Sequence, residues 1–507
     1  MGDNKLYDKI LEVALKRSII IPSAEIYNPI AGFYDYGPVG ALIKRKIENQ
    51  WRQLFIRNNG FHEIETASIY PEIVFRASGH ADHFADPLVT CKKCGTKTRA
   101  DKLLEDNVSG NYDGITEEEL TKLMKQHNIK CPKCKGELSD VARFALMFQT
   151  TYAGSSDNIA YLRPETAQGM FLDFSRIFNT YGRLPIGIGQ IGKAFRNEIS
   201  PRRILIRMRE FNQMELEYFF NPEYDKEPEN YKNIKDMKIP IAKANSENVE
   251  NITIDKAVEK AYITNKVHGY FIGLTKQFYD LMGVKSYRFR QLNDKEKAHY
   301  AKGAVDLESE TSFGWIECVS IAHRSDYDLS SHAKISKKKM EIVDDRQGKK
   351  IMPNVIEPSF GFDRLFWTIL ENSYRPATED KKWEWFDLPI YISPYHAAVY
   401  PLVKKDESIM EIAQDLTKEL RKELDVIFKE TGSIGKRYAR ADEIGVAYTI
   451  TIDYDSIKDN TATIRFRNDG KQIRVPINTI KNLIVEFTTE DVRTLEEAVK
   501  IGQYQVV

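Results

Sequence analysis

The sequence predicts a protein of mixed α and β structure in two or three domains. The chain has 507 residues, 42% of them hydrophobic, which supports a large buried core but exceeds one ordinary domain. Segments of alternating apolar residues lie between amphipathic helices throughout, without internal repeats. The pattern changes after the charged, tryptophan-rich TEDKKWEWFDLP, so we expect a domain boundary near residue 386.

The N-terminal part predicts two helices followed by a strand. The first helix covers about residues 5–17. The second begins near Ala41 and ends near Gly60, with apolar residues at helical spacing. The segment FHEIETASIYP then predicts one strand that Pro71 closes.

A cysteine-rich segment, at about residues 86–145, predicts an insert with a metal site. It contains two C-x-x-C pairs on either side of the polar stretch ITEEELTKLMKQH, which predicts a short exposed helix. The four candidate ligands are Cys91, Cys94, Cys131 and Cys134. Four thiolates close a tetrahedral Zn²⁺ site with no open position, so the site would be structural. Unliganded thiols are the alternative, and neither reading needs a disulfide.

A second insert, at about residues 222–300, is dense in Lys, Glu and Asp and poor in apolar periodicity at its start. Charged segments of this kind usually lie on the surface. We therefore expect a solvated appendage here.

The segment IGQIGKAFRNEISPRRILIRMREFNQMELEYFF predicts two antiparallel strands joined by a basic loop. Strand alternation divides the second strand into two faces. The apolar face, expected in the core, carries Met214, Leu216, Tyr218 and Phe220. The other face carries Phe211, Gln213, Glu215 and Glu217. Such a face suits the floor of a ligand cleft, and the alternative is a sheet with one face in water.

Two further segments carry charged residues that a ligand would explain. In FGWIECVSIA, alternation places Glu317 on the same face as Val319 and Ile321, with Cys318 on the opposite face. A carboxylate buried in that row needs a cation, a metal, a ligand or a structural arginine. In NVIEPSFGFDRLFWTIL, a strand runs into a helix and Arg364 lies on the first helical turn. A cation there opposes the helix dipole, which indicates contact with an anion such as phosphate.

Beyond residue 386 the pattern alternates strands and helices up to Val507. IYISPYH and GVAYTITID predict strands on either side of a helix from about Ser408 to Phe428. The segment GSIGKRYAR predicts a basic loop that suits phosphate contact and base stacking. Its candidate residues are Lys436, Arg437, Tyr438 and Arg440. A loop that is merely solvated is the alternative.

The overall charge excludes one mode of nucleic-acid binding. Lys plus Arg and Asp plus Glu both total 74, so the formal net charge is zero. No whole-molecule field draws the chain to nucleic acid, and any RNA contact depends on local patches. The apolar runs are too short for a signal peptide or a membrane span. We expect a cytoplasmic protein with neither a membrane nor DNA as a partner.

The chain resembles the class II glycyl-tRNA synthetases of the dimeric, archaeal and eukaryotic type over nearly its whole length. GFHEIETASIYP, AFRNE followed by RMREF, and PSFGFDRLF resemble the three class II motifs. AGFYDYGPVG, YLRPETAQGMF and GWIECVSIAHRSDYDL point to the glycine enzymes. The resemblance implies an α+β fold: an antiparallel sheet flanked by helices in a catalytic domain (1–385), a zinc-ribbon-like insert, and a C-terminal α/β anticodon-binding domain (386–507).

The resemblance also implies an activity. The enzyme would use ATP and Mg²⁺ to convert glycine to glycyl-adenylate and then load it onto the 3′ end of tRNA-Gly. It would be a homodimer, with Trp51, Phe55 and Ile56 supplying apolar surface at a two-fold interface. A serine, threonine or proline enzyme is one alternative. A non-catalytic protein like the accessory subunit of a mitochondrial DNA polymerase is another.

The roles of individual residues follow from the same resemblance. Arg196 would hold the glycine carboxylate and the α-phosphate, and Arg364 the terminal phosphate. Glu198 would accept from the adenine amino group, Phe211 would stack on adenine, and Glu317 would help to bind Mg²⁺ and ATP. Retention of these residues favours an active enzyme. Further ATP-binding positions would be Asn197, Cys318 and Gly361. The glycine-binding positions would be Arg99, Glu165, Phe211, Gln213, Glu215, Glu357 and Ser359. The basic loop with Arg202, Arg203 and Arg207 would face ATP or the acceptor end.

Overall fold

A computed structural model describes residues 5–110, 112, 114–201 and 203–507; Arg202 of the basic loop lies outside these ranges. The strands before residue 390 are β1 (Ile20–Pro22), β2 (Tyr34–Tyr36), β3 (His62–Glu63), β4 (Ile69–Pro71), β5 (Ala85–Thr90), β6 (Lys97–Arg99), β7 (Ala142–Ala145), β8 (Gln149–Thr151), β9 (Ile159–Leu162), β10 (Ile186–Phe195), β11 (Glu210–Phe220), β12 (Lys238–Ala242), β13 (Val249–Thr253), β14 (Tyr287–Gln291), β15 (Gly303–Thr311), β16 (Gly314–Ser325), β17 (Ile342–Asp344), β18 (Lys349–Ile351), β19 (Asn354–Gly361), β20 (Tyr374–Arg375) and β21 (Trp385–Phe386).

The helices of the same part surround these strands. They are α1 (Lys5–Lys16), α2 (Pro38–Trp51), α3 (Glu72–Ala77), α4 (His80–His83), α5 (Ala100–Glu105), α6 (Glu117–Gln126), α7 (Ala167–Tyr181), α8 (Ile254–Glu259), α9 (Lys266–Leu281), α10 (Tyr327–Ser336) and α11 (Phe362–Ser373).

The C-terminal part has its own sheet and helices. Its strands are β22 (Ala397–Pro401), β23 (Val426–Phe428), β24 (Tyr448–Ile452), β25 (Thr461–Phe466), β26 (Gln472–Pro476) and β27 (Gln505–Val506). Its helices are α12 (Glu407–Leu420), α13 (Ile434–Glu443), α14 (Tyr454–Asp459), α15 (Ile480–Thr489) and α16 (Leu495–Ile501).

The central sheet has nine strands in the order β13-β12-β14-β15-β16-β19-β11-β10-β3. Its pairs are antiparallel except β12 with β14 and β10 with β3. The predicted pair of antiparallel strands is β10 and β11, in register from Ile186 opposite Phe219 to Phe195 opposite Glu210. The α+β class with an antiparallel sheet is therefore confirmed.

The core lies on the predicted face of β11. Met214, Leu216, Tyr218 and Phe220 are buried against the helices α2 and α9 in one large cluster. The opposite face of β11, with the neighbouring strands β16 and β19, forms the floor of a cleft. A second cluster of buried residues, from Ile390 to Ala498, forms the core of the C-terminal part.

The second predicted helix begins earlier and is more buried than expected, and after Trp51 it continues as a π turn (Arg52–Ile56) and a 3₁₀ turn (Arg57–Asn59). It begins at Pro38, because proline suits the first turn, where its missing N–H needs no partner. Trp51 and Phe55 are fully buried and stack on each other, and Ile56 is buried too. These three residues belong to the monomer core, so the expectation that they provide surface for a dimer is wrong.

The segment FHEIETASIYP forms two strands rather than one. β3 joins the central sheet, whereas β4 pairs with β9 in a separate three-stranded sheet. Between them, the Thr66 N–H donates to Gln190 Oε1 at 2.6 Å and Ser68 O accepts from the Arg163 N–H at 2.9 Å. The chain thus crosses from one sheet to the other with its backbone groups paired.

The charged segment 222–300 is not the solvated appendage expected from its composition. β12, β13 and β14 extend the central sheet, and eleven of the sixteen residues of α9 are buried in the core. The charges lie mainly in the turns before and between these elements. The expectation failed because the average composition of the segment conceals the apolar residues of α9, β12 and β14.

The C-terminal elements differ from the prediction in three places. The strand expected at IYISPYH begins only at Ala397, after a 3₁₀ turn at Ile390–Ile392. α12 ends at Leu420, and Val426–Phe428, expected in the same helix, instead pairs as a parallel strand with β22. The basic loop GSIGKRYAR is largely the helix α13. Among the described residues, no helix is long and apolar enough to cross a membrane.

Candidate active site

A cleft of about 420 Å³ lies on the polar face of β11, β16 and β19. Most of the predicted site residues line it: Glu165, Arg196, Glu198, Phe211, Gln213, Glu215, Glu317, Cys318, Glu357, Ser359, Gly361 and Arg364. These residues come from positions up to about 200 apart in the chain, so strand pairing has brought them together. Glu215 lies opposite Ser359 across β11 and β19, and Glu357 lies opposite Ala322 across β19 and β16.

Arg324 organises the acidic part of the cleft. Its guanidinium is fully buried and donates from Nη1 to both oxygens of Glu357 at 2.9 Å. It also donates to Asp328 at 2.7 and 2.8 Å and lies 3.5 Å from Glu165. Its Cζ lies 3.7 Å from the centre of the Tyr300 ring. One cation therefore holds three carboxylates from separate elements in fixed positions.

Glu215 is held by neutral donors instead. Its Oε2 accepts from the Thr166 N–H at 2.9 Å and from the Thr166 hydroxyl. Its Oε1 accepts from Ser359 Oγ at 2.5 Å and from Gln213 Nε2 at 2.8 Å. Burial and the nearby charge of Glu165 raise the pKa of Glu215. The buried Oε1 of Gln213 has no donor among the described residues, which leaves an acceptor for a ligand N–H.

Glu165 is ionised and held from two sides. Burial alone would raise its pKa, but His80 and Arg324 hold the pKa of Glu165 well below its usual range. His80 Nε2 lies 3.4 Å from Glu165 Oε2, and Ser78 Oγ lies 2.8 Å from His80 Nδ1. Gln168 Nε2 donates to Glu165 Oε1 at 2.9 Å. The carboxylate can therefore attract a cation without rearranging.

Arg196 and Phe211 form a second region of the cleft. The Arg196 guanidinium lies between the rings of Phe84 and Phe211, 5.3 and 5.2 Å from their centres. Its Nε donates to Pro164 O at 3.2 Å, which leaves its two terminal nitrogens for a ligand. Glu198 accepts from Arg207 Nε at 2.7 Å. A flat ring and an anion would both find partners here.

Glu317 does not lie where alternation predicted. The register shifts between β15 and β16, so that Leu307 pairs with Val319 while Glu308 pairs with Glu317. This bulge leaves Cys318 unpaired and breaks the period of two. Val319 and Ile321 are in the core, whereas the side chain of Glu317 is 52% exposed in the cleft. The expectation of a buried Glu317 is wrong, while the burial of Cys318 is confirmed.

Arg364 lies beside Glu317 at the start of α11. Its Nη1 donates to Glu317 O at 2.7 Å and lies 3.6 Å from Glu317 Oε2. Its Nε donates to Ile206 O at 3.0 Å. Asp306, which sequence patterns did not single out, lines the cleft nearby and accepts from Ser320 Oγ at 2.7 Å. Burial, with the charge of Glu317, raises the pKa of Asp306 well above its usual value.

Two predicted residues do not line the cleft. Arg99 lies in the cysteine-rich insert, where its guanidinium pairs with Asp86 at 3.1 Å and with Asp101. Asn197 donates its N–H to Leu146 O at 2.6 Å. Arg324, Thr166 and His80 were not among the residues predicted for the site. Arg324 had a signal in principle, because several carboxylates predicted in one cleft require a buried cation.

The four predicted metal ligands converge. The Sγ atoms of Cys91, Cys94, Cys131 and Cys134 all lie within 4.8 Å of one another. Two of the Sγ–Sγ distances are 3.5 and 3.7 Å. Thiolates at about 2.3 Å from one Zn²⁺ would be about 3.8 Å apart in a tetrahedron, so the cluster fits that ion. α6 lies between the two cysteine pairs as predicted, but it is not wholly exposed, because it buries Leu120 and Met124.

The basic segment of the C-terminal part is divided by α13 into buried and exposed residues. Arg437 is buried and donates to the carbonyl oxygens of Pro401 and Lys429 at 2.7 and 3.1 Å. It is therefore a structural residue. Lys436 and Arg440 are exposed, and the Tyr438 hydroxyl bonds to Thr451 Oγ1 at 2.6 Å.

Comparison with known proteins shows the family of the chain. The model of the tRNA synthetase class II core domain (G, H, P, S and T) matches residues 151–373, and that of the anticodon binding domain matches residues 396–487. The chain is 38% identical to the glycine–tRNA ligase of Methanocaldococcus jannaschii, over 96% of this chain and 100% of that protein. It is 39% identical to that of Pyrococcus furiosus, over 95% and 99%. The chain therefore belongs to the glycine–tRNA ligases, a family of aminoacyl-tRNA synthetases with a class II core.

Proposed function

We propose that the chain activates glycine with ATP in the cleft of β11, β16 and β19 and transfers the glycyl group to the 3′ end of tRNA-Gly. The observation that carries this proposal is the convergence of three acids with Arg196 and Arg364 in one cleft. An amino acid supplies an ammonium for the acids and a carboxylate for Arg196. A triphosphate supplies the anion for Arg364.

Glycine would bind at the acidic end. Its ammonium would lie among Glu165, Glu215 and Glu357, with Ser359 completing the wall and Gln213 Oε1 accepting a further N–H. These side chains are already fixed by Arg324, Thr166 and His80. A rigid wall of this kind would leave little space for a β-carbon, which would favour glycine over larger amino acids.

ATP would bind from Phe211 towards Arg364. Phe211 would stack on adenine and Glu198 would accept from its amino group, with Cys318 and Gly361 nearby. Mg²⁺, when bound, would neutralise phosphate charge at Glu317, where Asp306 offers a second carboxyl group in the cleft. Arg99 would act through Asp86 rather than by direct contact.

The reaction needs no side chain as acid or base. The glycine carboxylate attacks the α-phosphorus in line and pyrophosphate leaves, so positioning and charge stabilisation are sufficient. Arg196 would contact both the attacking carboxylate and the α-phosphate. In the second step, the terminal ribose hydroxyl of tRNA takes the glycyl group and AMP leaves.

Several further features belong to the same proposal. The four cysteines would hold one structural Zn²⁺, and their free thiols favour a reducing, cytoplasmic location. Residues 386–507 would form the anticodon-binding domain, with Lys436 and Arg440 reaching RNA phosphates. The chain would form a homodimer in which the exposed Ile69 and Ile73, next to each other on β4 and α3, are covered. Light scattering showing twice the 58.6 kDa chain mass supports the dimer, and a monomer contradicts it.

ATP–pyrophosphate exchange with a panel of amino acids tests the proposed activity. Glycine should support exchange, and alanine, serine, threonine and proline should not. Exchange with one of the other amino acids, and not with glycine, would refute the proposal that glycine is the substrate. No exchange with any of them would favour the non-catalytic alternative.

A further inference from the structure

Tyr300 lines the cleft, but the proposed reaction gives it no role. It lies in the segment that connects β14 to β15. The Lys302 N–H donates to His323 O at 2.8 Å, and β15 then pairs with β16 from Gly303 opposite His323. The segment is therefore attached to β16 at the residue before Arg324, which holds Tyr300 close to that arginine.

The ring of Tyr300 covers Arg324 on the side of the cleft. The Arg324 Cζ lies 5.0 Å from the centre of the Phe171 ring and 3.7 Å from that of Tyr300. Phe171 is fully buried in the core around α7, whereas Tyr300 lines the cleft. Arg324 also holds Glu357 and lies beside Glu165. The ring is thus next to two of the three acids proposed to bind the ammonium.

The ring of Tyr300, rather than its hydroxyl, makes the contacts that the structure shows. It stacks on Arg324 and meets the rings of His299 and Tyr327 at 5.2 and 6.3 Å between centres. Burial raises the pKa of Tyr300 well above its ordinary value, so the hydroxyl stays neutral. Phenylalanine at this position would keep the same contacts.

The wall of the cleft around Tyr300 is apolar and made of small residues. A cluster of buried side chains consists of Ala301, Ala304 and Ala322, with Leu292 and Tyr300 packed against it. All five residues line the cleft. Ala322 lies opposite Glu357 across β16 and β19, so the cluster adjoins the acids. Without the Tyr300 ring, an apolar space lined mainly by alanines would open beside Glu357.

We propose that Tyr300 determines specificity, because its ring occupies the space beside Glu357 in which the β-carbon of an L-amino acid would lie. The acids bind the ammonium group that all amino acids share, and Tyr300 closes the apolar space next to them. The ring cannot turn away without losing its contact with the guanidinium of Arg324. This inference rests on the proposed binding of the glycine ammonium by Glu165, Glu215 and Glu357.

Pyrophosphate exchange by Tyr300→Ala with glycine, L-alanine, D-alanine and L-serine tests the proposal. The variant should have a higher kcat/KM for L-alanine than the wild type has. Its preference for glycine over L-alanine should fall at least about tenfold, as expected when an apolar pocket gains space for a methyl group. D-alanine should gain little, because its methyl group replaces the other α-hydrogen. L-serine should gain less than L-alanine, because its hydroxyl would lie among alanines without a hydrogen-bond partner.

Three further variants separate the ring from other effects. Tyr300→Phe keeps the ring and should keep the wild-type preference for glycine. Tyr300→Leu leaves an apolar side chain on the cluster, so it tests the same space if Tyr300→Ala does not fold, with a smaller gain for L-alanine. Tyr224→Ala is the matched control, because the Tyr224 ring lies 4.2 Å from the Cζ of Arg346 and does not line the cleft. It should keep the wild-type preference.

Four outcomes would overturn the inference. An unchanged preference for glycine in Tyr300→Ala or, if that variant does not fold, in Tyr300→Leu would show that the ring does not exclude alanine. Equal gains for L-alanine and D-alanine would indicate a general loosening of the cleft. Loss of the preference in Tyr300→Phe would assign the effect to the hydroxyl. Each of these results leaves the proposed function intact, whereas a wild type that does not activate glycine would refute both.

Discussion

The guanidinium of Arg324 donates to both carboxyl oxygens of Glu357 at 2.9 Å. The same group pairs with Asp328 and lies beside Glu165. A single buried cation thus connects the end of β16 to β19, to α10 and to the segment that precedes α7. Glu357 and Glu165, two acids of the cleft, are thus held by this residue before any ligand arrives.

Arg324→Gln should both destabilise the protein and strongly reduce glycine activation. Removing one partner of a buried ion pair leaves uncompensated carboxylates, which costs about 3–5 kcal/mol of unfolding free energy. Glycine-dependent exchange should fall by about a hundredfold or more, because Glu357 and Glu165 lose their positions. Denaturant unfolding and exchange kinetics measure the two effects.

Arg346→Gln is the matched control for this variant. Arg346 also pairs with two acids, Asp225 and Asp344, but it is partly exposed and does not line the cleft. Arg346→Gln should lower the free energy of unfolding less than Arg324→Gln does. It should leave the rate of glycine-dependent exchange near that of the wild type. Wild-type stability and a normal KM for glycine in Arg324→Gln would contradict the organising role of Arg324.

The sequence predicted the polar face of β11 correctly, because regular alternation needs no tertiary information. It failed at Glu317, where a bulge at Cys318 reverses the faces of β16. A bulge depends on how two strands pair and has no signature in one strand alone. The burial of Trp51 and Phe55 was missed for a similar reason, since an apolar helix stripe does not reveal whether core or partner covers it.

Arg324 shows a different limit. Chemistry predicts that the buried acids of the cleft need a cation near them. Which residue supplies that cation depends on the fold. Glu357, Asp328 and Glu165 meet it only because β16, β19 and α10 converge. The four cysteines were easier to predict, since their spacing alone implies two knuckles of one site.

Two buried histidines should make stability depend on pH. Burial lowers the pKa of His268 to about 3 and that of His323 to about 4. The Thr264 hydroxyl lies between their rings, 3.0 Å from one Nδ1 and 3.1 Å from the other. Below their unfolded pKa of about 6.5 the unfolded chain binds more protons than the folded one, so stability falls as pH falls.

The slope of the free energy of unfolding against pH tests this expectation. Each such histidine contributes about 1.4 kcal/mol per pH unit between about pH 6 and 4, and carboxylates contribute their own slope at the acidic end. Urea unfolding of the wild type and His268→Gln at several pH values should give a shallower dependence in the variant. Replacing the exposed His127 by Gln should not change the slope. Parallel curves for His268→Gln and the wild type would show that His268 is not the source.

One Zn²⁺ per chain should be bound by the four cysteines without taking part in the reaction. Elemental analysis of protein prepared without added metal should find one equivalent, and Cys131→Ser should lose it. Cys318→Ser removes a buried cysteine outside the cluster and should keep the metal. Metal loss should lower the thermal stability of the insert. A substituted metal that alters the exchange rate while the fold stays intact would refute a purely structural role.

Glycine selectivity should depend on Glu215. Its oxygens are fixed by Thr166, Ser359 and Gln213, so the carboxylate cannot move away from the ammonium without breaking buried hydrogen bonds. Glu215→Ala should therefore cut glycine-dependent pyrophosphate exchange by at least about a hundredfold, while ATP binding changes much less. Arg196→Ala should impair both, because the proposed role of Arg196 involves contact with both substrates.

Activity with alanine is a second test of the side chains around the proposed glycine site. For alanine to bind, its β-carbon must displace a charged side chain that is held by hydrogen bonds in a desolvated site. This displacement costs more free energy than a clash with a flexible apolar group. We expect a penalty of about 3–5 kcal/mol, or about 10² to 10³-fold in kcat/KM relative to glycine. Exchange kinetics with glycine, alanine and serine on the wild type, Glu215→Ala and Arg196→Ala measure these differences. If alanine supports exchange as well as glycine does, or if Glu215→Ala keeps near-normal activity, then the acids of this cleft do not define the amino-acid pocket.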